Sequence, residues 1–148
     1  MYKSLLIAND GSELAWKAVD QGLSLAKSLD ATVTFVIATP DWSATDMAHR
    51  AEFGAAHPVE DYEKREDEWA SNVLSQSEDA ARKTGISCTT VRAKDKQPAD
   101  GIIETAKSRG SDLIVMSSHG RSGLERLLLG SVANKVLTYS PIPVLIIR

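Results

Sequence analysis

The sequence predicts an α/β fold, an open five-stranded parallel sheet with helices on both faces and a Rossmann-like arrangement. Five short apolar segments alternate along the chain with segments whose apolar residues recur at helical spacing. Each helical segment lies between two strands, as a parallel crossover requires. The run Leu113–Met116 is apolar throughout, which is typical of a central parallel strand covered on both faces.

Length and composition indicate one globular domain. The chain has 148 residues, of which 43% are hydrophobic and 25% charged, and we expect residues 1–148 to form a single domain. The net charge of −3 argues against nucleic acid as a partner, which needs a basic face. No apolar run approaches the roughly 20 residues that span a bilayer, and no secretory signal is recognisable. Cys88 is the only cysteine, which fits a reducing compartment, so we expect a cytoplasmic protein without a membrane partner.

The first half of the chain predicts two strands and one helix. Residues 3–9 are apolar at their centre and end in a turn, which indicates a short buried strand. Helical spacing of apolar residues predicts a helix up to Leu29. The β-branched residues of 32–38 predict the second strand, which Pro40 ends. Residues 41–58 show no clean period, and we expect a long irregular connection there.

The second half repeats the alternation. A charged helix is predicted for 61–84, with Trp69 on its inner stripe, and its end coincides with a glycine. Polar residues in 86–93 are typical of a strand at a sheet edge, and a proline begins the helix 98–109. After the fourth strand and a glycine-rich loop, a short helix leads to the apolar residues 144–147, the fifth strand.

Residues 117–131, directly after the fourth strand, carry the strongest functional signal. The segment contains three glycines that allow close backbone approach: Gly120, Gly123 and Gly130. Ser131 stands where a helix begins, and amides at a helix N terminus stabilise an anion. Ligands of such sheets bind beyond the carboxyl ends of the strands. The pattern predicts a phosphate-binding loop. Arg121 and Arg126 could be solvated surface charges, but Arg121 is the better phosphate ligand because it lies in the loop itself.

Other familiar chemistries are not matched. The chain contains no Walker A sequence and no Gly-x-Gly-x-x-Gly after the first strand. Residues 120–123 are one residue too short for the hydrolase elbow. His49, His57 and His119 lack metal-ligand spacing, so neither a catalytic nor a metal-ligating residue is predicted. His119 could donate to a phosphate or shape the turn, and both interpretations stay open.

The pattern Ser117-x-x-Gly120, nine further residues and then Gly130-Ser131 resembles the universal stress protein family. The nucleotide-binding branch of that family carries Gly-x-x-Gly, nine residues, and then Gly followed by Ser or Thr, so Ser117 stands in the first glycine position. The similarity extends to residues 5–12, 112–116 and 143–146. The resemblance is to the ATP-binding branch, and it implies the adenine nucleotide alpha hydrolase-like form of the fold.

The resemblance implies ATP as the ligand, with Mg²⁺ on its phosphates. It implies that Asp10 contacts the ribose, that the backbone near Val36 faces the adenine, and that the glycine loop holds the phosphates. The expected nucleotide-binding residues are Ala8, Asn9, Asp10, Val36, Met116, Ser117, Gly120, Arg121, Gly130, Ser131 and Val132. On local chemistry alone, Asp10 and the pair Gly130-Ser131 could instead be helix caps.

The resemblance further implies a dimeric stress-response sensor or regulatory module. A dedicated enzyme is not expected, since no general base is evident beside the loop. Two alternatives stay open: an ATP-independent, chaperone-like interaction protein, and a slow nucleotide hydrolase in which Asp10 or His119 positions water. Because an exposed apolar edge strand invites association, residues 144–147 predict a homodimer, unless a helix covers that strand. The sequence does not name a regulated partner.

Overall fold

The computed structural model describes residues 1–121 and 128–148. Within these residues the elements are β1 (Ser4–Ala8), α1 (Glu13–Leu29), β2 (Thr32–Thr39), α2 (Ala44–Glu52), α3 (Pro58–Thr84), β3 (Cys88–Lys94), α4 (Pro98–Ser108), β4 (Leu113–Ser117), α5 (Ser131–Tyr139) and β5 (Val144–Ile147). Gly123 and Arg126 of the predicted loop lie outside the described residues. In the described part of the chain, no helix has both the length and the apolar character that crossing a membrane requires.

The five strands form one sheet in the order β3-β2-β1-β4-β5, and every neighbouring pair is parallel. The predicted open parallel sheet is confirmed, with β3 at an edge and β4 inside. Strands β2 and β3 are added in turn on one side of β1, and the chain then crosses to β4 on the other side of β1. The strand order therefore reverses between β1 and β4, which is where ligands of such sheets bind.

Helices cover both faces because successive side chains of a strand point in opposite directions. Leu5 and Ile7 of β1 belong to a core cluster with residues of α1 and α3, while Leu6 belongs to a second cluster with residues of α4 and α5. All three side chains are fully buried. The central strand thus joins two separate cores, and its carboxyl end is fixed from both sides.

The predicted irregular connection over 41–58 is wrong in one respect, because it contains the nine-residue helix α2. Ser43 caps this helix by accepting a hydrogen bond from the amide of Asp46 at 3.4 Å. Met47 is its buried residue, so no apolar stripe was there for a periodicity argument to find. Smaller differences are that α3 begins at Pro58 rather than 61 and that β3 begins at Cys88 rather than 86.

Candidate functional site

The carboxyl ends of β1, β2 and β4 open into one cleft of about 860 Å³. This volume lies within the roughly 300–1,000 Å³ typical of small-molecule sites. All eleven residues predicted from the sequence line the cleft, from Ala8 in β1 to Val132 in α5. Described residues of α3, α4 and α5 contribute further parts of the wall. The fold therefore brings together side chains that stand far apart in the sequence.

One part of the cleft, which we call the apolar end, is lined by Val36, Ile102, Met116 and Val132. The first three are buried members of the core cluster on the α4 and α5 side, and Val132 packs against it. Since these side chains are anchored in the core, they present a firm apolar surface. Such a surface can cover a flat, weakly polar group such as a nucleobase.

At the polar end, Asp10 joins two loops that are distant in sequence. Its Oδ1 accepts a hydrogen bond from the amide of Ser12 at 3.0 Å, and its Oδ2 accepts one from the amide of Arg121 at 2.8 Å. A Cβ at Gly120 would collide with Oδ2, so the carboxylate itself requires glycine there. Ser12, not Asp10, caps α1, because its Oγ accepts from the amide of Ala15 at 3.2 Å. Each carboxylate oxygen of Asp10 keeps a lone pair for a ligand.

Asn9 is almost completely buried, and the polar atoms of its side chain are occupied within the protein. Its Nδ2 donates to the Oγ of Ser77 in α3 at 3.0 Å, and its Oδ1 accepts from the amide of Gly11 at 2.9 Å. Its own backbone amide donates to the carbonyl of Val36 at 3.0 Å. Asn9 therefore lines the cleft mainly as a structural residue that fixes α3 against the turn after β1.

The turn after β4 is braced by its own side chains. Ser117 Oγ donates to the carbonyl of His119 at 2.7 Å, and Ser118 Oγ lies 3.0 Å from His119 Nδ1. The amide of Gly130 donates to the carbonyl of Ser118 at 2.7 Å, and a Cβ at Gly130 would lie 2.9 Å from that carbonyl oxygen. Serine in the first glycine position therefore uses its hydroxyl to close the turn, and Gly130 lets the two loop ends meet.

The N terminus of α5 reaches the cleft without a side-chain cap. Gly130 is the N-cap, with extended backbone (φ −63°, ψ 160°), and no side chain among the described residues bonds to the first-turn amides. Ser131 is the first helical residue, where the sequence placed the start of a helix, and its amide belongs to the first turn. Unpaired amides at a helix N terminus favour an anion. This helix end is therefore the best-defined anion site among the described residues of the cleft.

Two residues of α3, Glu66 and Trp69, line the cleft but were not predicted to do so. The guanidinium carbon of Arg121 lies 3.8 Å from the centroid of the Trp69 ring. Helical periodicity assigned Trp69 to the inner stripe of α3, and the ring is indeed half-buried. Periodicity identifies an inward face but not which loop that face meets, so the contact with Arg121 could not be derived.

Charged groups cluster where α3 passes the end of β2. Tyr62 of α3 donates its hydroxyl to the carbonyl of Pro40 at 3.0 Å. Burial raises the pKa of Tyr62, and the carboxylates of Glu66 and Asp41 raise it further, while nearby arginines, Arg121 among them, oppose that rise. The guanidinium of Arg121 thus acts on α3 electrostatically as well as through its contact with Trp69.

The sequence of this chain is similar to those of known proteins. The family model described as the universal stress protein family matches residues 1–148. This chain belongs to the universal stress protein family. Universal stress protein YxiE of Bacillus subtilis is 31% identical over 149 residues, with complete coverage of both chains. Universal stress protein MJ0531 of Methanocaldococcus jannaschii is 34% identical over 148 residues, which is all of this chain and 83% of the relative.

Solved structures show the same universal stress protein fold. Hypothetical protein MJ0577 superimposes with a TM-score of 0.80 at 25% identity, covering 99% of this chain and 96% of the other. A universal stress protein in complex with cAMP gives a TM-score of 0.69 at 23% identity, covering 99% and 97%. The protein from Archaeoglobus fulgidus in complex with dAMP gives 0.66 at 20% identity, covering 99% and 98%. The predicted nucleotide alpha hydrolase-like fold is confirmed.

Proposed function

We propose that this universal stress protein is a cytoplasmic, ATP-binding dimer that acts as a sensor or regulatory module in a stress response. The observation that carries the proposal is the uncapped N terminus of α5 in a cleft of nucleotide size. Two proteins that share the fold are in complex with the adenine nucleotides cAMP and dAMP, which supports a ligand of the same class.

The layout of the cleft supports one orientation of the nucleotide. The apolar end suits the adenine, and the spare lone pairs of Asp10 suit a ribose hydroxyl. The first-turn amides of α5 and the guanidinium of Arg121 suit the phosphates. The eleven residues predicted from the sequence line this cleft, and α3 adds a further wall.

Magnesium fits this cleft only together with a nucleotide. No group of three or more His, Cys, Asp or Glu side chains that could hold a metal ion occurs within residues 1–121 and 128–148. The carboxylates that line the described cleft are Asp10 and Glu66. Because Mg²⁺ in proteins keeps several waters and is usually held by one or two carboxylates and substrate phosphates, we propose that it binds as the MgATP complex.

A binding role rather than a dedicated enzymatic one is supported by the side chains beside the loop. A general base must be free to take a proton from an attacking water. In the proposed orientation the spare lone pairs of Asp10 face the ribose rather than the phosphates, and His119 has its Nδ1 within hydrogen-bond distance of Ser118 and its Nε2 buried away from solvent. We therefore propose that ATP is bound and at most slowly hydrolysed.

The test measures ATP affinity by calorimetry and identifies any nucleotide retained after native purification. The variant Gly130→Ala places a Cβ 2.9 Å from the carbonyl oxygen of Ser118, so we expect ATP affinity to fall by about tenfold or more. The control Gly54→Ala adds a Cβ outside the cleft at a φ of +94°, where no atom lies within 4 Å, so it strains the backbone without a collision, and its affinity should match the wild type. Absence of saturable ATP binding at millimolar nucleotide in the wild type would contradict the proposal.

A further inference from the structure

Trp69 is the residue through which α3 reaches the polar end of the cleft. Its ring lies under the guanidinium of Arg121, and both residues line the cleft. We propose that Trp69 is a positioning residue that holds Arg121 ready for a phosphate group, so that the cleft favours nucleotides over nucleosides. This inference rests on the proposed nucleotide function and adds a role for α3, which neither the sequence pattern nor the relatives' names assign.

The Trp69 ring is a fixed platform. It packs against a core cluster formed by Ile37, Ala70 and Val73. The turn after β1 also comes close to the ring, so that a Cβ at Gly11 would lie 3.3 Å from Trp69 Nε1. A ring held by both the core and a tight turn loses little freedom when a second group stacks on it. The position of the ring therefore determines where a guanidinium can rest.

Within residues 1–121 and 128–148, the Arg121 guanidinium is held at this platform by a contact that uses none of its hydrogen-bond donors. Its backbone is fixed by the bond from its amide to Asp10. Among the ion pairs and side-chain hydrogen bonds of the described residues, none involves its guanidinium, and Glu66 is not paired with it. A cation–π contact attracts the charge but leaves all five N–H donors for a ligand. The arginine is thus oriented in advance for an anion, which lowers the entropy cost of binding one.

Two other roles for Trp69 make different predictions. A residue that only fills the core would affect protein stability without distinguishing between ligands. A residue that stacks on the adenine would affect every adenine ligand, with or without phosphates. A residue that positions Arg121 affects only ligands that carry phosphate, and only while Arg121 is present. A double-mutant cycle measured with two ligands separates these roles.

The experiment measures affinities for MgATP and for adenosine by calorimetry in Trp69→Leu, Arg121→Gln and the double variant. For MgATP we expect a loss of about tenfold in Arg121→Gln and about threefold to fivefold in Trp69→Leu. The double variant should be no weaker than Arg121→Gln, and adenosine affinity should stay within about twofold throughout. Trp69→Phe keeps a ring and should restore most of the MgATP affinity. Trp42→Leu, outside the cleft, is the matched control.

Three outcomes would overturn the inference. An equal loss of adenosine and MgATP affinity in Trp69→Leu would show that Trp69 acts on the base or the fold. Losses that multiply in the double variant would show that Trp69 acts independently of Arg121. If wild-type protein binds adenosine more tightly than MgATP, Arg121 and Trp69 have no role in binding phosphate. Wild-type protein that binds neither ligand would contradict the proposed function itself, which is a distinct result.

A second measurement does not depend on the folding of Trp69→Leu. In a Trp16→Phe/Trp42→Phe protein, Trp69 is the remaining tryptophan of the chain. MgATP should change the emission of Trp69 because Arg121 takes on a phosphate partner, whereas adenosine should not. The change should disappear in Arg121→Gln. A MgATP response that persists in Arg121→Gln would contradict the proposed coupling.

Discussion

At the residue scale, Asp10 has two tasks in the cleft. Its carboxylate holds the loop after β4 through the amide of Arg121, and it holds the turn before α1 through the amide of Ser12. The spare lone pairs on the same oxygens are what we propose for the ribose. A single substitution can therefore alter loop geometry and ligand selectivity together, and the two effects need separate measurements.

We predict that Asp10→Asn loses about 1 kcal/mol of stability, because an amide has one acceptor oxygen for two backbone donors. If Asp10 also contacts the ribose, wild-type protein should bind ATP more tightly than 2′-deoxy-ATP, and the variant should lose that preference. Chemical denaturation measures the first effect and paired calorimetric titrations the second. If Asp10→Asn still prefers ATP to 2′-deoxy-ATP, Asp10 does not contact the ribose and its role is only structural.

At the element scale, two of the polar contacts that connect α3 to the sheet differ in their burial. The buried contact is the hydrogen bond from Asn9 to Ser77, whose Oγ also donates to the carbonyl of Val73 at 2.8 Å. The exposed contact pairs Asp67 of α3 with Arg92 of β3. Both keep α3 beside the cleft, but burial makes only the first costly to break.

We predict that Ser77→Ala destabilises the protein by about 1–3 kcal/mol, because it leaves the buried Nδ2 of Asn9 without its acceptor. Ser75→Ala makes the same change on the exposed side of α3 and should have little effect. Urea denaturation measures both variants. Equal stabilities would show that the hydrogen bond between Asn9 and Ser77 contributes little to the folded state.

The contact between Asp67 and Arg92 predicts a dependence on pH. A hydrogen bond from Arg92 lowers the pKa of Asp67, and the charges of Arg92 and Lys94 act in the same direction. A lowered pKa contributes stability above the unfolded value of about 3.9, and that contribution is lost as the pH falls through the folded pKa. Asp67→Asn should therefore be less stable than wild type at pH 7, with the difference closing below about pH 4. In an Arg92→Gln background the pH-dependent difference should largely disappear.

Elements with a full apolar stripe or a continuous apolar run were predictable from the sequence. Helix α1 and strand β4 are examples, because their side chains meet the core along their whole length. Helix α2 was not predictable, since its buried residue is Met47 and one buried residue makes no apolar stripe. Site residues at strand ends were predictable because parallel strands end at one edge of the sheet. The contribution of α3 to the cleft was not predictable, because Trp69 contacts Arg121 only through the tertiary fold.

At the scale of the whole molecule, we propose that residues 1–148 form one domain. Both faces of the sheet are covered, and the cleft draws on both halves of the sequence. One domain should unfold in a single cooperative transition. Far-ultraviolet circular dichroism and tryptophan fluorescence should then give the same midpoint, and two separate midpoints would contradict the proposal.

The edge strand β5 supports the proposed dimer. Within the described residues, β5 pairs with β4 on one side and with no strand on the other. Exposed apolar side chains lie on this strand and on α5: Leu137, Tyr139 and Leu145. Ile146 packs against a core cluster, whereas Leu145 is 37% exposed. Leu145 is therefore the position at which association can be tested without damaging the core.

We predict that Leu145→Lys shifts the protein from dimer to monomer, because two copies would bring like charges together at the paired edge. Ser87→Lys adds the same charge beside β3, the opposite edge, and should leave the dimer intact. Gel filtration with light scattering measures the mass of each variant. A monomeric wild type, or a Leu145→Lys protein that stays dimeric, would contradict association through β5.

The bond between Asp10 and Arg121 joins residues that are 111 positions apart. A ribosome that has made β1, β2 and β3 has produced only part of the cleft, because the turn after β4 and the start of α5 come later in the chain. Contacts of such long range close late in folding. A growing or truncated chain that lacks β4 and α5 therefore has no complete cleft, and binding of the proposed nucleotide would mark chains in which both elements have joined the sheet.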